Sequence, residues 1–181
     1  MMTAFRNTIL STFPLAAFLA ALAPPACGAL AQSAGSAPAS GSPPMMVGWA
    51  ERARIFPGNL PMQAKLDTGA NTSALNVESY EIIEHDGKKW ARITATNRAN
   101  AKRTYELEVI RFSKTKDHNG PLRLRPVVQL VICIAGIRKT AELNVSKRGK
   151  FIYKLLLGRR FLANTFTIDP SRKFTKPPKC G

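Results

Sequence analysis

From Val47 onward the chain repeats one pattern, short runs in which every second residue is apolar, cut by turn signals roughly every 8 to 12 residues. In "MQAKLDTG" Met62, Ala64 and Leu66 share a face, and in "RTYELEVIRF" Tyr105, Leu107, Val109 and Arg111 do. A period of two belongs to a pleated strand with one buried side, and a helix cannot satisfy it. "YEIIEHDGKKWARITAT" places Asp86-Gly87, a favoured type I′ hairpin turn, between two strand-like arms. "VVQLVICIAGIRKTAELNV" predicts two more strands turning near Ala135-Gly136, and "KDHNGPLRLRP" a loop around Asn119-Gly120. Helical spacing is convincing at "GRRFLAN" after Gly158, and a second short helix is a candidate just after the Asp-Thr-Gly of residues 67–69. The expected class is all-β, a closed or folded-over barrel with one short C-terminal helix.

The ends of the chain have a different texture. Residues 1–31 carry Arg6, an apolar stretch from about Ile9 to Ala23 and the small-residue site Ala29-Leu30-Ala31, the layout of a cleaved secretory signal. Pro14 and Pro24-Pro25 keep the apolar stretch short of the roughly 20 residues a spanning helix needs. Lipidation at Cys27 lacks the usual Leu and small-residue pattern before it. Cleavage after Ala31 and delivery to a bacterial periplasm are expected, with no transmembrane segment in the mature chain. Residues 32–46, rich in Ser and Pro, form a flexible linker ahead of a domain over 47–174, and the tail 175–181, "TKPPKCG", is expected to be disordered. Cys133 lies in an apolar run and Cys180 is next to last, so one buried thiol and one loose one are expected in preference to a bridge.

The formal charge is +16, and removal of residues 1–31 leaves about +15. Such an excess attracts anionic partners. The basic residues are spread along the chain, with no recognition helix, RNA-binding motif or zinc-finger spacing, so dedicated nucleic-acid binding is not indicated.

The chemistry concentrates in "KLDTGANTSAL", residues 65–75. Asp-Thr-Gly has a physical rationale when two copies face each other. Two carboxylates about 3 Å apart share one proton, so one accepts a proton from water while the other donates to a carbonyl oxygen. A hydroxyl beside each Asp can bridge the pair, and Gly lets the backbone turn tightly. Asp followed by Ser or Thr and Gly also arises by chance in about one chain of this length in fifteen, so the tripeptide alone is modest evidence.

A second stretch strengthens it. "IYKLLLGRRFL", residues 152–162, is an apolar strand ending in Gly-Arg, and together with "KLDTGANTSAL" it resembles the retropepsin-like aspartic peptidases. "VGWAERARI", "AKLDTGANTSALN", "DGKKWARI", "RPVV", "YKLLLGRRFL" and "IDPSRKF" occur in the order of a bacterial retropepsin-like family whose members often carry the label ATP-dependent zinc protease. The resemblance spans about Val47 to Phe174. It implies Asp67 as the catalytic carboxylate, Thr68 as its neighbour bonding across a homodimer and Gly69 as the turn. It also implies the Ala70 and Asn71 backbone as cleft lining, and Gly158 and Arg159 as the brace beneath the loop. Two positions depart from it: Asn71 stands where retropepsins often have Asp, and Asn76 where the family commonly has His.

The label itself finds no support in the residues. There is no H-E-x-x-H and no Gly-rich phosphate loop, and His85, His118 and Cys133 do not assemble a zinc set, so no cofactor is expected. One Asp-Thr-Gly per chain requires a homodimer acting on peptide or protein, with a scaffold or activator as one way of joining two chains. A cover for the cleft is expected from either the Asp86-Gly87 hairpin or the Asn119-Gly120 loop. Two other readings stay open: a non-catalytic basic module that binds an anionic envelope partner, and a hydrolase of poly-glutamate tails, a job associated with some relatives.

Overall fold

The alternating runs become strands, and their buried sides close on one another. The structure, a computed structural model, describes residues 43–116, 122–147 and 151–180. The stretch expected as an export signal, with Cys27, the expected linker up to residue 42, His118 and the Asn119-Gly120 loop lie outside those residues, and the last two linker positions, Met45 and Met46, already belong to the first strand. In chain order the elements are β1 (Met45–Phe56), β2 (Leu60–Asp67), β3 (Ser73–Asn76), β4 (Ser79–His85), β5 (Lys88–Thr96), β6 (Lys102–Glu108), β7 (Arg111–Lys116), β8 (Leu122–Ile134), β9 (Ile137–Ser146), β10 (Leu155–Gly158), α1 (Arg159–Leu162) and β11 (Phe166–Lys173).

Eight strands form one sheet in the order β11-β1-β2-β10-β3-β9-β8-β7, and the additional β1–β8 pairing closes six of them into a barrel. Closure removes the open edges from those six strands. Leu60, Met62, Ala64 and Leu66 of β2 all point inward, as their alternation requires, and pack with Leu75, Leu155, Leu157, Ile132 and Leu143. A separate three-stranded sheet, β4-β5-β6, covers part of this core with Ala91, Ile93, Ala95 and Tyr105. Its Asp86-Gly87 turn has the positive φ values, 51° and 72°, of a type I′ hairpin. Ala135 and Gly136 do the same for β8–β9, at 50° and 86°.

Several expectations change. The stretch after Asp67 is not helical; it turns and enters β3, because Ala74 and Leu75 find strand partners on both β10 and β9. The run from Arg103 to Phe112 is two strands. The chain leaves the small sheet at Val109 and joins the eight-stranded sheet beside β8 as β7, with Ile110 N donating to Val127 O.

The third change concerns the tail, which is held over residues 175–180. Phe174 N donates to Ala50 O, and the Arg52 guanidinium lies over the Phe174 ring. Buried Glu51 accepts from Gly48 N (2.8 Å), Thr175 N (3.0 Å), Thr175 Oγ1 (2.5 Å) and Lys176 N (3.4 Å). A buried carboxylate is tolerable when its lone pairs are filled in this way, and here the tail supplies most of the donors. Cys180 then forms a disulfide with Cys133, Cα–Cα 6.3 Å, so the two thiols share one fate. Cys133 lies at the β1–β8 closure, opposite Arg54, and the tail is guided there along β1.

Candidate active site

Asp67 is the last residue of β2, where the strand's apolar side is already committed to the core and the chain must turn. Its carboxylate is locked by its own loop: Oδ1 accepts from Gly69 N at 3.0 Å and from Ala70 N at 3.3 Å. Gly69 leaves room for that approach. A Cβ there would sit 3.2 Å from Asp67 Oδ1, and the turn uses no positive φ at this residue. Asp67 is partly buried, while Thr68, Gly69 and Asn71 are exposed, so the loop presents an open face.

The brace comes from residues about 90 positions later. β10 runs between β2 and β3, parallel to the first with Gly158 opposite Asp67, and antiparallel to the second. Gly158 N donates to Ser73 Oγ (3.1 Å), Arg159 N to Ala70 O (2.8 Å) and Arg160 N to Asn71 O (3.1 Å). The first N–H groups of a helix lack partners within it, and here the loop carbonyls fill that need. Arg159 Nη1 donates to Thr68 O (2.9 Å) and Gly69 O (2.8 Å). The guanidinium therefore grips backbone, a role that Asn71 in place of Asp leaves intact. At the other end of α1, Lys139 Nζ donates to Phe161 O at 2.7 Å.

All the residues singled out by sequence, Asp67, Thr68, Gly69, Ala70, Asn71, Gly158 and Arg159, gather in this one structure. Asn76 stands at the far end of β3, and exposed His85 packs against Trp90 in the small sheet, both away from the loop. Among the described residues no three His, Cys, Asp or Glu side chains come together as a metal site.

Sequence reasoning missed Thr72, Ser73 and Asn144. Asn144 Nδ2 donates to Thr72 Oγ1 (2.8 Å) and Ser73 O (3.2 Å). The available signal was "LNVS", polar residues inside a run whose neighbours are buried, since a buried polar group needs a partner.

Gly158 admits no side chain. A Cβ there would lie 2.6 Å from Thr72 O and 2.9 Å from Ala70 O, both backbone atoms. Gly158→Ala is expected to destabilise the domain by about 3 kcal/mol, because the loop or α1 must shift. Urea unfolding checks this, and a midpoint equal to wild type would show that the loop yields freely.

Comparison with known proteins agrees with this geometry. The crystal structure of Lpg0085, a protein of unknown function from Legionella pneumophila, superposes with a TM-score of 0.63 at 31% identity, covering 72% of this chain and 97% of that one. Proteins named probable alpha-L-glutamate ligase from Shewanella halifaxensis and Shewanella pealeana are each 28% identical over 116 residues, 62% of this chain. This chain spans only 25% of their length. The profile of the RimB-like family, described as retropepsin-like aspartic endopeptidase RimB, matches residues 46–179. The chain belongs to that RimB-like, retropepsin-like family.

Proposed function

We propose that two copies of this chain form an aspartic endopeptidase, with both Asp67 carboxylates meeting across a two-fold axis. The observation that carries the reading is a carboxylate fixed by Gly69 and Ala70 N–H on an exposed loop, in a family described as aspartic endopeptidases. A lone carboxylate cannot act as base and acid in the same step, whereas a pair sharing one proton can. The charged carboxylate takes a proton from water as the water oxygen attacks the amide carbon, and the neutral one protonates the carbonyl oxygen. Collapse of the tetrahedral adduct breaks the C–N bond, and the leaving amine takes up a proton from the pair. Of the two segments considered as a cover, the Asn119-Gly120 loop lies outside the described residues, and the strands on either side of it, β7 and β8, connect through Ser113 and Asn144 to Thr72 and Ser73. The Asp86-Gly87 turn instead ends the separate sheet.

One comparison favours a narrower substrate. Proteins named probable alpha-L-glutamate ligase contain a segment similar to this chain, and a net charge of +16 suits an anionic glutamyl chain. Export to the periplasm, proposed from residues 1–31, fits better with general envelope peptides.

The test uses protein starting at Gln32, beside Asp67→Asn, against a diverse peptide library and oligo-glutamate from about pH 4 to 7, where carboxylate pairs titrate. Products are read by mass spectrometry, with the oligomeric state recorded in the same samples. Cleavage of library peptides by wild type alone supports the endopeptidase. Cleavage confined to oligo-glutamate, falling steeply with salt, supports the narrower reading. Absence of cleavage by a demonstrated dimer favours a binding module.

A further inference from the structure

We propose that Asn144 is a positioning residue that makes the geometry of the Asp67 loop depend on the β7–β8 hairpin. Asn144 lies on β9 between the two structures concerned, opposite Ala74 of β3 on one side and Val127 of β8 on the other. It is 8% exposed, and its carboxamide is used at both ends. Nδ2 donates to Thr72 Oγ1 and Ser73 O, in the segment that returns from the Asp67 turn, while Oδ1 accepts from Ser113 Oγ of β7. Ser113 is paired with Arg125 of β8, so its place reports the place of the hairpin arms.

A second link runs alongside. Two residues earlier on the same face of β9, Glu142 Oε2 accepts from Arg111 Nη2 of β7 (2.8 Å) and lies 3.7 Å from Arg160 Nη1 of α1. Arg160 N in turn holds Asn71 O. Hairpin and loop are therefore joined twice through β9, once by hydrogen bonds and once by a carboxylate between two guanidinium groups. The Glu142 link is half-exposed and weakened by salt; the Asn144 link joins neutral groups from a buried carboxamide and is not. In a buried position a carboxamide fixes direction, because an unfilled donor or acceptor there is costly. A displacement of β7 must then either break the Ser113 bond or turn the carboxamide away from Thr72 and Ser73.

The consequence for catalysis rests on the peptidase reading; the mechanical coupling does not. Amide hydrogen exchange of the full chain starting at Gln32 tests it, following Gly69, Ala70, Arg159 and Arg160, whose N–H groups are bonded within the loop and its brace. Ser113→Ala removes a group whose only described bond is to Asn144. It should speed exchange at those four amides about fivefold to tenfold, with the β4–β5 hairpin unchanged as an internal control. Ser113→Thr keeps the hydroxyl and should restore wild-type exchange. Asn144→Asp keeps the acceptor for Ser113 and loses both donors, so it should speed loop exchange while leaving β7 protected. Unchanged loop amides in Ser113→Ala, with β7 loosened, would overturn the coupling. With a cleavable peptide in hand, Ser113→Ala should lower kcat and leave KM unchanged. A change in KM alone would place Ser113 in substrate binding. A demonstrated wild-type dimer that cleaves nothing would remove the peptidase reading and leave the exchange result standing.

Discussion

Asp67→Asn should abolish peptide cleavage, by at least about a thousandfold, with the fold intact. The amide oxygen of Asn can still accept from Gly69 and Ala70 N–H, so the loop keeps its shape. Stability is expected within about 1 kcal/mol of wild type, the scale of one exchanged hydrogen bond. What is lost is the proton traffic, since an amide neither takes a proton from water nor gives one to a carbonyl oxygen. The effect should also spread to unmutated chains. Wild-type protein mixed with an excess of Asp67→Asn should lose activity as mixed dimers form, because each mixed pair has a single carboxylate. Activity that stays proportional to the wild-type chains in the mixture would show that one chain suffices, and the two-fold dyad would be wrong.

The second large effect is on stability. Opening the Cys133–Cys180 disulfide, by reduction or by Cys180→Ser, should cost about 4 kcal/mol, from the loop entropy released across a separation of 47 residues. For a domain of this size the loss amounts to a fall of roughly 10–15 °C in Tm. Wild type in reductant should match Cys180→Ser, and reductant should leave the variant unmoved. Equal melting of wild type with and without reductant would mean that Glu51 and Arg52 anchor the tail by themselves. A bond of this kind persists in oxidising compartments, which supports the proposal of export.

Much of the fold was legible because period-two alternation reports directly which side of a strand is buried. Leu60 to Asp67 alternates without a break, and the type I′ preference of Asp86-Gly87 is a property of two residues. The same local reasoning misjudged the stretch after Asp67. "NTSALN" carries no strong period, and only strands on both sides make β3 a strand. It also merged β6 with β7, since Tyr105, Leu107 and Val109 continue one alternation across the point where the chain changes sheets. The cysteines and the tail were misjudged for a related reason. Cys133 reads as a buried apolar residue, which it is at 0% exposure, and nothing near it in sequence announces Cys180.

The sequence by itself determined a β-rich chain, a carboxylate on a tight Thr-Gly turn and a Gly-Arg strand end with the helix after it. Each of these is written in neighbouring residues, whose spacing and backbone freedom act over one turn or one strand. Only the tertiary structure decided that β10 lies between β2 and β3, which sets Gly158 against Asp67 and turns Arg159 onto the Thr68 and Gly69 carbonyls. It alone placed Asn144 between Ser113 and Thr72, and Cys180 beside Cys133. Alternation says which face of a strand is buried, but strands of similar pattern are interchangeable as neighbours until the barrel closes and all of them must be paired at once.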